Sequence, residues 1–357
     1  MTLEGRKNHF NVKFLKGYGH SVSLKDNKII LKNGLDPFSD KQDQEEWFIT
    51  NLPYEKIVLS GKGYISTEAL SLLNQNNRNL ILVDTYGKPV SFLNGMMESL
   101  TATKYRMAQY DTFRNPEKCR YLQRQIVKAK LESQINFLKS TENELVKDGV
   151  SKLELYLKQI EGESIEPIKI EAPSTHVYFN YFAKIIPAKY GFSSRNNSSI
   201  RITKRNASDV INGLLNYGYA VLAGEISKYV NGFGLDAYFG FMHKTHSGFQ
   251  PLVYDLMEPF RWLVESAVYK MAINQHDVIR KKDYAFTKDG SVVLDSDLIR
   301  RFLELLERIF QKERPYYYRH GVKMGDGLSN CQEITIAKIT VQNLADFYVH
   351  KNKEFTI

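Results

Sequence analysis

From residue 96 to residue 160 the chain runs with little Gly or Pro, interrupted by Pro116 and Gly149, and its apolar residues recur at helical spacing. The pieces MMESLTATKYRMAQY and PEKCRYLQRQIVKAKLESQINFLKS both carry that period, so the stretch reads as successive long helices. In the second piece Leu122, Ile126, Ala129, Ile135 and Leu138 fall close to one stripe, ringed by Arg120, Arg124, Lys128, Lys130 and Lys139. A basic face of this kind reads as solvated. Composition changes at residue 96, dividing the chain into a small β-rich part, residues 1–95, and a larger all-helical part, residues 96–357. The expected class is α+β.

Ahead of that boundary, β-forming runs alternate with turn residues. Asp26-Asn27, with Val22 and Leu24 before and Ile29 and Leu31 after, marks a hairpin. Ile57–Leu59 and Leu80–Val83 read as strands, and between them Ser66-Thr67-Glu68 opens an amphipathic helix through Ala69, Leu70, Leu72 and Leu73. Gly61-Lys62-Gly63 lacks the glycine spacing and the Lys-Ser/Thr ending of a phosphate loop, and reads as a strand-to-helix turn.

Past residue 160, residues 161–176 read as a loop leading into the helix VYFNYFAKIIPAKYGF, with Glu171 as a carboxylate at the helix entry and Pro173 in the first turn. Residues 193–209 form a polar, basic linker with Arg195, Arg201, Lys204 and Arg205, either a surface loop or a nucleic-acid contact. The next helix, VINGLLNYGYAVLAGEISKYV, starts after Ser208-Asp209 and is apolar nearly all round, which places it at the centre of a core. WLVESAVYKMAI, SDLIRRFLELLERIFQKE and ITIAKITVQNLADFYVHKN supply further helices, and KDYAFTKDGSVVL is a hairpin-like insert turning at Asp289-Gly290.

Lys and Arg number 49 against 40 Asp and Glu, a net charge of +9 that suits a polyanion such as nucleic acid. Cys119 and Cys331 fit no zinc or redox spacing, which favours a reducing, intracellular setting. The opening MTLEGRKNHFNVKF has no apolar signal core and no run approaches bilayer length, so the expectation is a cytoplasmic protein without membrane contact.

The stretch most charged with chemistry is YFGFMHKTHSGFQPLVYDLMEPFRW, residues 238–262. It sets His243 at the end of an aromatic run, and Asp255 and Glu258 three apart among apolar residues, on one face if the segment is helical. Such groups are costly to bury without a partner, and a divalent cation is one partner. Two plainer readings stand beside it: Asp255 and Glu258 as a capping box supported by Pro259, and His243 as a hydrogen-bonded core histidine.

Several segments resemble one family, the universal CRISPR-associated integrase and endonuclease of spacer acquisition. ISTEALSLLNQNNRNLILVDTYGKPV looks like its N-terminal strand–helix–strand signature, and IVKAKLESQINFLK resembles its linker helix, with Lys130 and Gln134 in the expected places. EAPSTHVYFNYFAKIIP resembles the motif that opens with an acid, has Tyr-Phe seven and eight residues on and ends in Pro, here Glu171, Tyr178, Phe179 and Pro187. ASDVINGLLNYGYAVLAGEI looks like its central helix, and GLDAYFGFMHKTHSGFQPLVYDLMEPFRW is similar to its most specific block. The acid is followed by Ala172-Pro173 rather than the usual Gly, which makes Glu161, followed by Gly162, a competitor whose spacing to Tyr178 does not fit. His246 competes with His243 but sits off the family position.

The resemblance implies a dimerising N-terminal domain and a metal-dependent catalytic domain. It implies that Glu171, His243 and Glu258 bind Mg²⁺ or Mn²⁺, with Asp255 close by as a second catalytic carboxylate. The implied reaction is attack of a DNA 3′-hydroxyl on a phosphodiester, joining spacer DNA into a CRISPR array. The implied partners are double-stranded DNA, a second copy of the chain and the small CRISPR-associated dimeric adaptation protein. Arg201, Lys204, Arg205 and Lys244 are the first candidates for DNA phosphate contacts. Two alternatives share the features: a casposon-type transposase, which is expected to extend past this chain's end with a helix-turn-helix, and a non-catalytic DNA-binding scaffold.

Overall fold

In the computed structural model the described residues are 12–34, 42–54, 56–76, 78–83, 89–93, 100–162, 165–195, 207–243, 250–273, 279–318 and 327–357. They form two compact units, Met1–Met96 and Met97–Ile357.

The first unit contains β1 (Val12–Lys16), β2 (His20–Lys25), β3 (Lys28–Lys32), β4 (Gln44–Phe48), β5 (Lys56–Ser60), β6 (Gly63–Ile65), α1 (Thr67–Gln75), β7 (Asn79–Val83) and β8 (Pro89–Leu93). Two four-stranded sheets result, ordered β1-β5-β7-β8 and β4-β3-β2-β6. The β2–β3 hairpin turns at Asp26 and Asn27, both at positive φ, in the register Lys25 opposite Lys28. Asp and Asn tolerate this backbone, which matches the right-handed twist of paired strands. Ser66 caps α1 by accepting from the Ala69 N–H at 3.2 Å, and Ala69 and Leu73 turn into the core with Leu15, Val22, Ile57 and Leu80. The glycine turn after β5 leads first into β6 and only then into α1, because Gly63–Ile65 pair in parallel with His20–Val22.

The second unit contains α2 (Leu100–Phe113), α3 (Pro116–Ser140), α4 (Lys147–Glu161), α5 (Pro167–Ile185), α6 (Val210–Gly232), α7 (Pro251–Met257), a 3-10 turn (Glu258–Phe260) and α8 (Arg261–Ile273). A hairpin of β9 (Tyr284–Phe286) and β10 (Val292–Leu294), then α9 (Ser296–Phe310), a hairpin of β11 (Glu313–Tyr318) and β12 (Gly327–Gln332), and α10 (Glu333–Tyr348) complete it. The second hairpin is an addition to the all-helical expectation. The expected loop over 161–176 is also shorter than it read. Pro167 opens α5 at its first position, where a missing N–H costs nothing, and Pro173 lies inside the helix. Glu171 is therefore within α5 rather than at its entry.

Helix α6 is the axis of this unit. Asp209 caps it by accepting from the Asn212 N–H at 2.8 Å, and Ile211, Leu214, Leu215, Leu222 and Ile226 are buried along its length. Cys119 and Cys331 are both free. Among the described residues no helix is long and apolar enough to cross a membrane.

Gly218 lies at a close approach of α6 to α8 and α9: a Cβ there would lie 2.4 Å from Val264 Cγ1 and 2.8 Å from Phe302 Cζ. Helix propensity alone would make Gly218→Ala stabilising by about 1 kcal/mol. Overpacking costs about 1–3 kcal/mol and is expected to win, so the variant should melt below wild type; a raised melting temperature would refute this close approach.

Candidate functional site

The segment ahead of His243 is held by polar side chains from the helices beside it. Gln109 of α2 donates to the carbonyls of Asp236 at 2.8 Å and Phe239 at 2.9 Å, and its own carbonyl accepts from the Asp236 N–H at 2.8 Å. Gln123 of α3 donates to the Phe241 carbonyl. The chain then wraps around Asp255 of α7. Its carboxylate accepts from the backbone N–H of Phe241 at 2.6 Å, Met242 at 3.0 Å and His243 at 2.9 Å. Gly240 permits the wrap, since a Cβ there would lie 2.6 Å from Asp255 Oδ2.

Asp255 also faces the His243 ring, with Oδ1 2.6 Å from Nδ1. A proton on Nδ1 leaves Nε2 as the outward ring nitrogen, the arrangement by which a carboxylate sets the tautomer of a ligating histidine. Burial opposes the charged ring, but the hydrogen bond and charge of Asp255, with Glu258 behind it, push His243 up from its ordinary value. Asp255 is thus engaged with the backbone and Nδ1. The capping-box reading fails, because α7 starts at Pro251 and Asp255 satisfies amides of a different segment.

Glu258 opens the 3-10 turn that bends the chain from α7 into α8. His243 Nε2 lies 3.8 Å from its Oε1, and Arg261, three residues on, reaches the same oxygen at 2.8 Å. Glu258 is buried, which alone would raise its pKa, yet Arg261 and then Lys130 hold it down to about 2. Glu171 arrives from α5 and meets Glu258 through Lys130 of α3. The Lys130 ammonium is 2.5 Å from Glu171 Oε1 and 2.7 Å from Glu258 Oε2. Burial works against that ammonium, and the charges of Glu258 and Glu171 outweigh it, so its pKa rises. Thr175 also donates to Glu171 Oε1 at 3.1 Å. Among the described residues no three His, Cys, Asp or Glu side chains converge as a ready-made cation cage. At this site the ammonium of Lys130 stands between the two carboxylates.

Behind these groups lies a second buried layer. Glu265 accepts from the hydroxyls of Tyr178 at 2.5 Å and Tyr219 at 2.7 Å, and burial pushes its carboxyl up. The Tyr219 ring carries Arg261 4.7 Å from its centroid and Arg195 at 5.2 Å. Arg195 donates to the amide oxygens of Asn212 at 2.7 Å and Asn216 at 2.9 Å.

Glu171, His243, Asp255 and Glu258, from three separate segments, are thus linked pairwise: Glu171 to Glu258 through Lys130, Glu258 to His243, and His243 to Asp255. Glu161 ends α4 in an exposed pair with Lys128 at 3.0 Å. Arg201, Lys204, Arg205, Lys244 and His246 lie outside the described residues. Lys130, Arg261 and Glu265 carry site roles that the sequence reading did not assign. For Lys130 a signal was present: it stands four residues after Ile126 and is buried with it.

The profile of the family described as CRISPR associated protein Cas1 matches residues 14–308. A CRISPR-associated endonuclease Cas1 of Archaeoglobus fulgidus is 30% identical over 278 residues, covering 72% of this chain and 79% of its own. A casposase solved bound to its integration product superposes with a TM-score of 0.79 at 22% identity, covering 97% of this chain and 93% of its own. A Cas6-RT-Cas1–Cas2 complex gives 0.73 at 18% identity, covering 98% of this chain and 36% of that one. At such identities the two structures show a shared fold.

Two measurements check the site's electrostatics. Asp255→Asn turns an amide toward backbone donors that need an acceptor, and should cost about 3 kcal/mol in chemical unfolding; a cost under about 1 kcal/mol would contradict these contacts. The folded pKa of Glu258, about 2, lies below its ordinary 4.5, so its contribution is present above pH 4.5 and lost as pH falls toward 2. The stability difference between wild type and Glu258→Gln should therefore shrink from about pH 6 to about pH 3, and a difference that grows on acidification would reverse that sign.

Proposed function

We propose, from the premise that this chain belongs to the Cas1 family of CRISPR-associated proteins, that it is a metal-dependent DNA endonuclease and integrase that joins the 3′-hydroxyl ends of new spacer DNA into a CRISPR array. The observation that supports the reading is that Glu258 links the other two expected ligands, Glu171 through the shared Lys130 ammonium and His243 through Nε2 at 3.8 Å, with Asp255 fixing the imidazole.

The donor set fits a divalent cation. Glu258 Oε2 is buried and its close partner is a cation, the Lys130 ammonium at 2.7 Å, so this oxygen already sits in a place that selects positive charge. Two carboxylates and one imidazole, with no thiolate, favour Mg²⁺ or Mn²⁺ over softer metals. Glu171, His243 Nε2 and Glu258 would hold it, and when bound it supplies Lewis acidity toward a DNA hydroxyl and phosphate.

The rest of the chemistry belongs to the chain. Asp255 holds the Nδ1 proton and keeps the ring from turning. Arg261 anchors Glu258 at Oε1, which fixes the direction of Oε2. Glu265, through Tyr178 and Tyr219, ties α5, α6 and α8 together, so that Glu171 and Glu258 are presented from rigid helices. The net charge of +9 supplies the sequence-independent attraction for duplex DNA that donor and target both need. Action as a homodimer with the small dimeric adaptation protein belongs to the same proposal, supported by the likeness to the Cas1 portion of a Cas1–Cas2 complex. Transposition of a mobile element is a second reading, favoured by the fold shared with a casposase.

The test is strand transfer of a 3′-hydroxyl duplex into supercoiled plasmids with and without an array, in Mg²⁺ or Mn²⁺. Glu171→Ala, His243→Ala and Glu258→Ala should each lose about a hundredfold or more while keeping DNA affinity. Full activity of Glu171→Ala would remove that residue from the ligand set. Insertion indifferent to the array would favour the transposase.

A further inference from the structure

A buried charge contact in the second unit joins the two carboxylates expected to hold the metal. Lys130 rises from the buried face of α3, and its ammonium lies 2.5 Å from Glu171 Oε1 and 2.7 Å from Glu258 Oε2. A single nitrogen within ion-pair distance of both oxygens sits where a cation bound by both carboxylates would sit. A divalent cation and this ammonium cannot both occupy that place: metal–oxygen distances of about 2.0–2.1 Å for Mg²⁺ leave no room for a second cation against the same oxygens.

We propose that Lys130 is an internal counter-cation that competes with the metal, holding Glu171 and Glu258 at cation-binding spacing and leaving their oxygens when a divalent ion takes them. This rests on the metal-site reading above. Two like charges at close quarters inside a protein are costly unless compensated. Arg261 is committed to Glu258 Oε1 at 2.8 Å, so among the described residues Lys130 is the cation that serves both carboxylates. The exchange is of one cation for another, and no bond is made or broken. A displaced ammonium needs an acceptor. Gln134, one turn further along the same face of α3, is buried, and neither of its amide atoms has a hydrogen-bond partner among the described residues. Lys130 is accordingly a positioning residue that sets how tightly the metal binds.

The test compares the full-length chain, Lys130→Met and a control, Lys128→Met, whose lysine pairs with Glu161 at the surface. Mn²⁺ binding is followed by calorimetry and by the electron paramagnetic resonance of free Mn²⁺, and melting is recorded with and without the ion. Removing the competing charge should tighten Mn²⁺ at least about tenfold, lower the melting temperature of the metal-free protein and enlarge the rise on adding Mn²⁺. Lys128→Met should match wild type. Unchanged or weaker Mn²⁺ binding by folded Lys130→Met overturns the proposal. Should that variant not fold, a Mn²⁺-soaked crystal of wild type decides: Nζ withdrawn from either carboxylate supports displacement, and Nζ still bridging both beside a bound ion overturns it. Wild type without saturable, Glu258-dependent Mn²⁺ binding overturns the metal reading itself and this inference with it.

Discussion

The candidate site depends on the burial of Glu258. A carboxylate out of water is tolerated only when opposite charge surrounds it, and here that charge comes from two directions: Arg261, within its own turn, and Lys130 from α3. Meeting this demand draws α3 against the 3-10 turn, and the second valence of Lys130 draws in Glu171 on α5. The site is thus the product of charge compensation among helices far apart in sequence. The groups proposed to hold the metal and the structural ion pairs are the same atoms.

Asp255 and Glu258 show how environment separates two acids three residues apart. Asp255 is surrounded by amide donors and an imidazole, and its work is to organise a backbone segment. Glu258 faces cations on both oxygens, Arg261 at Oε1 and Lys130 at Oε2. The first is satisfied by neutral amides and an imidazole and the second by two cations, which is why the first suits orientation and the second suits exchange of one cation for another.

Much of this was legible in the residues. Asp26-Asn27 declared its hairpin, Ser66 and Asp209 their helix caps, and the long helix Pro116–Ser140 its limits, because each depends on local chemistry. The block from residue 238 to 262 announced its acids and imidazole by their placement in an apolar run. The division of labour among them was not legible, since Asp255 is defined by amides 12 to 14 residues away. The start of α5 was misplaced because Pro173 resembles a first-turn proline, while Pro167 is the one that plays that part. By charge and position Lys130 reads as one of the surface bases around the stripe of α3. Its buried neighbours Ile126 and Gln134, at four-residue spacing, are the local sign that it faces inward.

The contacts of Asp255 have one more consequence. His243 and Asp255 close a loop of the chain on itself, and the closure is made on the ring and backbone of the first residue and the side chain of the last. The two residues of this clasp are 12 apart in sequence. Lengthening the chain between two such residues costs only a slowly growing closure entropy. The contacts that hold His243 are thus made entirely by residues 241–243 and Asp255, and a change of length between them leaves every one of those contacts in place.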